Sequence, residues 1–158
     1  MTGGEVPNID SVGLEAALEK LAEVSQPRDL EATLQDVTQA IGALFTVTGT
    51  GLMFLDANDA LRYVVSSDEG SRALEVAQEE LGVGPCVDCL VLDAPIATDD
   101  VANDERWPGL PEQVVPAGVR AVLGVPVRVG PGAVGSLDAY YDAPHAWDNS
   151  EIDALHKF

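Results

Sequence analysis

An α+β fold built on a central antiparallel sheet is predicted by three features of the chain. Two pairs of β-rich runs are each joined by a short turn, and hairpins pair their strands antiparallel. The helical segments lie before, between and after these pairs instead of alternating one-to-one with single strands. No glycine-rich phosphate loop follows a strand, so a doubly wound nucleotide-binding sheet has no support.

Residues 1–10 are small and polar and read as a loose N-terminus. A first helix places Leu14, Ala17, Leu18, Leu21 and Val24 on one face, at helical spacing. Ser25, Gln26 and Pro27 interrupt it, and proline in a first turn suits a new helix start. The second helix carries Leu30, Leu34, Val37, Ile41 and Leu44 on one stripe. From Thr46 the composition turns β-branched, and a strand is expected over Thr46 to Leu55. The turn residues Asp56 to Asp59 return the chain through a second strand, Ala60 to Ser66.

Glu69 to Leu81 reads as a helix with Leu74, Ala77 and Leu81 inward, stopped by Gly82. A cysteine-bearing helix start follows, then a short strand at Pro95 to Thr98 and a loop with an acidic flank from Val101 to Pro108. Pro111 to Ala117 forms a further short helix. Val119 to Val129 and Ala133 to Tyr141 are the two longest strands, joined by Gly130, Pro131 and Gly132. Asp148, with Glu151 three residues on, is a capping-box pattern that opens a last helix with Ile152 and Leu155 inward. That helix has about two turns, and an isolated helix so short is marginal. A single domain over residues 11–158, its last helix cut short at a domain edge, is the expectation.

Eight basic residues against 27 acidic ones give a net charge of −19. Such a charge repels phosphate backbones and anionic bilayers, which argues against direct nucleic-acid or membrane binding by this segment. No run reaches the ~18 apolar residues of a membrane span; the best, Val119 to Val129, is broken by Arg120, Pro126 and Arg128. The first ten residues lack the basic and apolar regions of a secretory signal. Two cysteines are too few for a disulfide framework. A cytoplasmic protein is expected.

Cys86 and Cys89 form a CVDC element. Three residues apart at a helix start, both sulfurs share a face, and the helix N-terminus favours a thiolate. A redox pair is one reading. A zinc site is another, although neither a second CxxC nor a neighbouring histidine completes it. Two small buried side chains are the third and the preferred one. Asp88 either bonds the local turn or lines a pocket, the turn being favoured. Asp99 and Asp100, with Asp104 and Glu105, form either a cation site or a solvated acidic loop. Trp107 either lids a pocket or covers the core edge. Tyr140 and Tyr141 face opposite sides of one strand, so one of them points to core or pocket. No serine, histidine and aspartate set and no outstanding carboxylate pair is evident.

From Leu81 to Leu110 the chain reads LGVGPCVDCLVLDAPIATDDVANDERWPGL. The strand pair and AYYDAPHAWDNSEIDAL follow. This order resembles the GAF domain. More narrowly, Gly84-Pro85-Cys86 and Asp88 resemble the GPC-x-D element of the actinobacterial GAF sensors that precede an RNA-binding ANTAR output domain. The resemblance runs from about Leu30 to the end. It implies a central antiparallel sheet with the N- and C-terminal helices on one face. It also implies a small-molecule site between the sheet and the segment Leu81 to Pro116, and a sensor instead of an enzyme.

Cys86, Asp88, Cys89, Asp99, Trp107 and Tyr140 are the pocket candidates. Cys89 departs from the GPC-x-D element, where a small residue is usual, so the resemblance lends no support to a cysteine pair. Neither His145 nor His156 lies in the pocket half, Cys86 is followed by Val87 where bilin-binding relatives have histidine, and an NKFDE-type motif is missing. No cofactor is therefore expected. Two further readings accompany the sensor. One is a thiol enzyme of the free methionine sulfoxide reductase branch, whose cysteines are spread over separate segments. The other is a ligand-free dimerisation module that pairs through the terminal helices.

Overall fold

The computed structural model describes residues 27–157. The expected helix over Leu14 to Val24 and the first ten residues lie outside the described residues. The element order is α1 (Pro27–Phe45), β1 (Gly49–Leu55), β2 (Leu61–Ser66), α2 (Glu69–Leu81), α3 (Pro85–Leu92) and β3 (Ile96–Thr98), then α4 (Leu110–Val114), β4 (Ala121–Val129), β5 (Gly132–Tyr141) and α5 (Asn149–His156). Single 3₁₀ turns at Val101–Asn103 and Val115–Ala117 flank α4. The five strands form one sheet in the order β2-β1-β5-β4-β3, and every pairing is antiparallel. The α+β class read from the hairpins is the class observed.

Strand alternation divides the interior into two layers. On one face Leu52, Leu123, Val125, Leu137 and Ala139 meet Leu34, Val37, Ile41 and Phe45 of α1 and Ala154 and Leu155 of α5. The N- and C-terminal helices of the described chain thus share a face. On the other face Val122 and Tyr140 pack with Leu74 and Ala77 of α2, and with Val101, Trp107, Leu110, Val114 and Val119. The second layer places α2, α3 and the β3–β4 connection over the middle of the sheet.

Most element ends follow their local signals. The Asp56 carboxylate accepts from the amides of Asn58 (2.8 Å) and Ala60 (3.0 Å), which closes the β1–β2 turn. Gly82 ends α2 at φ +69°, and its amide donates to Gln78 O. Asp148 and Glu151 make the reciprocal capping box that opens α5.

One boundary differs. The β-branched run from Thr46 does not start the strand. Thr46 takes φ +56° and closes α1, its hydroxyl donating to Phe45 O at 2.6 Å. Thr48 then reaches the sheet through its amide, bonded to Tyr140 O at 2.9 Å, and β1 begins at Gly49. The tight reversal needed to bring α1 back onto β1 outweighs β propensity here.

Candidate functional site

The centre of the second face is a row of three paired residues. Asp138 on β5 stands between Gly51 on β1 and Gly124 on β4. Residues opposite one another in a ladder share a face, so the carboxylate has no side chain on either side of it. The glycines admit groups from the helices above. A Cβ on Gly51 would overlap the Glu75 carboxylate of α2. A Cβ on Gly124 would lie 3.3 Å from the backbone of Pro85 and 3.4 Å from Cys86 N. Glu75 and the start of α3 thus descend onto the sheet on either side of Asp138.

Glu75, Asp138, Ser136, Cys86 and Cys89 are all fully buried. The Cys86 thiol points at Asp138 Oδ2 (3.6 Å), and the Cys89 thiol donates to Cys86 O (3.1 Å). Cys86 N donates to Gln78 Oε1 at 2.8 Å, a side-chain cap on an α3 amide that has no partner within its own helix. Four buried polar atoms remain without a hydrogen bond: both Glu75 carboxylate oxygens, Asp138 Oδ1 and Ser136 Oγ. Buried polar groups are satisfied as a rule, and each exception calls for an explanation.

Charge in this layer is unfavourable throughout. Burial, followed by repulsion from Asp138 and Asp68, holds the Glu75 carboxyl well above the usual carboxylate range. Burial raises Asp138 to about 7. Burial and the neighbouring Asp138 push the Cys86 thiol far up, and the same two causes push Cys89 to about 12. The expected thiolate-stabilising field of the helix start is overridden by desolvation.

The predicted site residues separate into three places. Cys86 and Cys89 lie on the buried side of α3, with the Cys86 thiol on Asp138. Asp88 caps no backbone group of α3, whose N-cap is Gly84; it accepts the Trp107 indole N–H at 2.8 Å instead. Trp107 is 1% exposed within the core of the second face, so of the two readings offered for it the structure has core. The Arg106 guanidinium stacks 4.3 Å from its ring centroid. Tyr140 faces α2 and donates its hydroxyl to Asp68 Oδ2 at 2.6 Å, while Tyr141 turns to the other side against His145 and Trp147.

Asp99 is not part of this layer. It is exposed, and it holds the segment before α5, its carbonyl accepting from His145 N at 3.0 Å. Its neighbour Asp100 pairs with Arg120 through two bonds of 2.8 and 2.7 Å. Asp104 pairs with Arg106. Asp100 and Asp104 of the acidic loop are therefore committed to internal ion pairs. Among the described residues no group of three or more histidine, cysteine, aspartate or glutamate side chains is placed to hold a metal ion.

Glu75, Gln78, Ser136 and Asp138 were missed in the sequence, yet their positions carried a signal. Glu75 and Gln78 sit one turn apart on the same α2 face as Leu74 and Ala77. Asp138 and Ser136 alternate with Leu137 in a strand whose Leu137 is core, so both had to face the other layer.

An open groove of about 330 Å³ is lined by Leu55, Leu61, Gln78, Val87 and Val91 together with Asp59, Arg62 and Glu79. Gln78 belongs to both places: it lines the groove and caps α3 above Asp138.

A small antiparallel sheet is thus covered on one side by the terminal helices of the described chain and carries a polar patch buried under helices on the other. The chain belongs to the GAF domain family, whose profile matches residues 29–158. Similar solved structures include the GAF domain of a phosphoenolpyruvate-protein phosphotransferase from Acinetobacter, 15% identical with TM-score 0.71 over 95% of this chain and 87% of that one. A domain of a putative two-component sensor histidine kinase from Sinorhizobium meliloti 1021 is 23% identical, with TM-score 0.63 over 81% of this chain and 83% of that one. The free methionine-R-sulfoxide reductase from Neisseria meningitidis, in complex with its substrate, is 14% identical, with TM-score 0.63 over 91% and 80%. A search of curated proteins finds no significant match. No helix among the described residues is long and apolar enough to cross a membrane.

Proposed function

We propose that the chain is a regulatory sensor domain that binds a small molecule between the sheet and the α2–α3 layer. One observation carries this reading: four buried polar atoms of Glu75, Asp138 and Ser136 have no protein partner. They cluster where two glycines clear the sheet, and Gln78, which caps α3 there, also lines a groove. A core that had no further role would put apolar side chains there. The signalling-protein neighbours agree with a sensor. The GPC-x-D element at Gly84 to Cys86 and Asp88 favours an RNA-binding antiterminator of the ANTAR type as output, and the net charge of −19 leaves nucleic-acid contact to that module.

The reductase neighbours favour a second reading through Cys86 and Cys89. Reduction of a sulfoxide by two thiols yields a thioether, water and a disulfide, and it starts from a thiolate. Both thiols are fully buried and shifted up, Cys89 to about 12, which supports the sensor. A thermal-shift screen of amino acids, amines, nucleotides and organic acids is expected to yield a stabilising compound. The same protein with free methionine sulfoxide and a dithiol reductant is expected to show no turnover. Turnover that disappears in Cys86→Ser would replace the sensor by the enzyme. Neither a stabilising compound nor turnover would leave a dimerisation module.

Pairing of two copies through terminal helices is also proposed, because residues 14–24 carry an apolar stripe. Light scattering is expected to give twice the 16.6 kDa chain mass. A monomer at high protein concentration would exclude it.

A further inference from the structure

We propose that the Glu75–Asp138–Ser136 cluster receives the ammonium group of a small primary amine. This deepens the ligand-site reading above and rests on it. The orphan atoms are three carboxyl oxygens and a hydroxyl, so the cluster is rich in acceptors, and no basic side chain acts on Glu75 or Asp138 among the described residues. The titratable groups around Asp138 are Glu75 and Asp68 from α2 and its cap, Cys86 and Cys89 from α3, and Tyr140 on its own strand. None of them is a base.

The arginines held in ion pairs are held elsewhere: Arg62 by Asp56 and Glu79, Arg106 by Asp104, Arg120 by Asp100, and Arg128 by Asp93. Arg72 of α2 is exposed. Among the described residues no basic side chain acts on Glu75 or Asp138, and a cation brought to the cluster would satisfy all the orphan acceptors at once.

Donor number selects the kind of cation. An ammonium has three compact N–H donors, and three side chains offer acceptors: Glu75 from above, Asp138 from the sheet, and Ser136 two residues back on the same face. A divalent metal takes six or more oxygen ligands or a set of three or more ligating side chains, and the described residues provide no such set. The carbon part of the amine would enter past Gln78 from the groove, whose walls combine Leu55, Leu61, Val87 and Val91 with the charged Asp59, Arg62 and Glu79.

The binding form of the site is the ionised one, so amine affinity rises with pH as Asp138 ionises. Burial places that step at about 7 in the free protein. Bound ammonium lowers it, and association below about 7 releases protons.

Three probes with one tail test the head group: n-butylammonium, n-butanol and butyrate, each titrated into the whole chain by calorimetry with amide chemical shifts recorded in parallel. The expected result is binding of n-butylammonium alone, tightening as the pH rises through about 7. Amide shifts should fall on Gly51, Gln78, Cys86 and Asp138. Glu75→Gln and Asp138→Asn, each first shown to fold by circular dichroism, should bind at least about tenfold more weakly, as loss of one partner of a buried charge pair does.

Equal binding by all three probes, or n-butylammonium binding unchanged in both variants, overturns the proposal. Butyrate or n-butanol bound in preference, with shifts on the same residues, sinks the ammonium assignment and leaves the sensor site standing. Shifts confined to α1 and α5 would sink both. No binding by n-butylammonium at either pH extreme also ends the ammonium assignment, while the metabolite screen decides the sensor reading separately.

Discussion

Trp107→Ala is expected to lower stability by roughly 3–5 kcal/mol, the range for removing a fully buried tryptophan. Trp107 is 1% exposed and packs with Leu74, Leu110, Val114, Val119 and Val122. The substitution opens a cavity in the middle of that cluster, between α2, α4 and β4. It also leaves Asp88 without the indole donor at 2.8 Å and strips the Arg106 guanidinium of its stacking face. Domains of this size hold only about 5–15 kcal/mol in total, so the variant should be partly unfolded well below the denaturation temperature of the parent.

Trp107→Phe keeps most of the volume and loses the hydrogen bond. A cost of about 1–2 kcal/mol is expected. Urea unfolding of the three proteins measures both effects. A cost below about 1 kcal/mol for alanine would mean that Trp107 is a movable lid, the reading its loop position also allowed.

The second large effect is a fall in stability as pH rises. The Asp138 carboxyl is raised by burial from an ordinary 3.8 to about 7. A raised folded-state value means that between these limits the unfolded chain has released a proton that the folded chain still holds. The stability associated with it is complete below about 3.8, declines as pH climbs, and is gone once pH has passed about 7. The size is roughly 4 kcal/mol from the two values. Glu75 is shifted in the same direction and adds to the decline.

The surface carboxylates act with the opposite sign. Asp104, held at about 2 by Arg106, and Asp56, Asp100 and Asp148, lowered by their own hydrogen bonds, contribute stability above about 3.8 that is lost on acidification. The pH profile of the melting temperature should therefore peak on the acid side of neutrality. Asp138→Asn should flatten the alkaline limb and overtake the parent protein as pH rises beyond about 7. A profile of the parent that climbs steadily to pH 8 would be incompatible with a buried, protonated Asp138.

Much of the fold was legible because its determinants are local. Gly82, the Asp148 and Glu151 capping box and the glycine turn before β5 each act within a few residues of where they stand. The stripe through Leu34, Val37 and Ile41 needs only helical periodicity. Thr46 shows the limit: its β-branched side chain favours a strand, but the return of α1 onto the sheet puts it at φ +56°, and that geometry is set by packing far along the chain.

The candidate site was half legible for the same reason. Cys86 and Asp88 stood out by residue type and by a turn motif. Glu75 and Asp138 looked like two more acids in a chain with 27 of them. What distinguishes them is burial opposite Gly51 and Gly124, and that arises only when α2, β1, β4 and β5 come together from distant parts of the chain. Asp99 is the converse case. Its place in an acidic loop suggested a ligand, and the fold spends it on the segment leading to α5.

The account rests on Glu75 and Asp138 being buried acids with carboxyl oxygens that have no hydrogen-bond partner inside the protein. Carbon-13 NMR titration of the two side-chain carboxyl groups in the free protein tests this most directly. Asp138 should hold the shift of a protonated carboxyl until pH approaches about 7, and Glu75 should titrate well above the usual carboxylate range. Both groups titrating near 4, like exposed aspartate and glutamate, would show that water or a basic partner reaches them and would contradict the site.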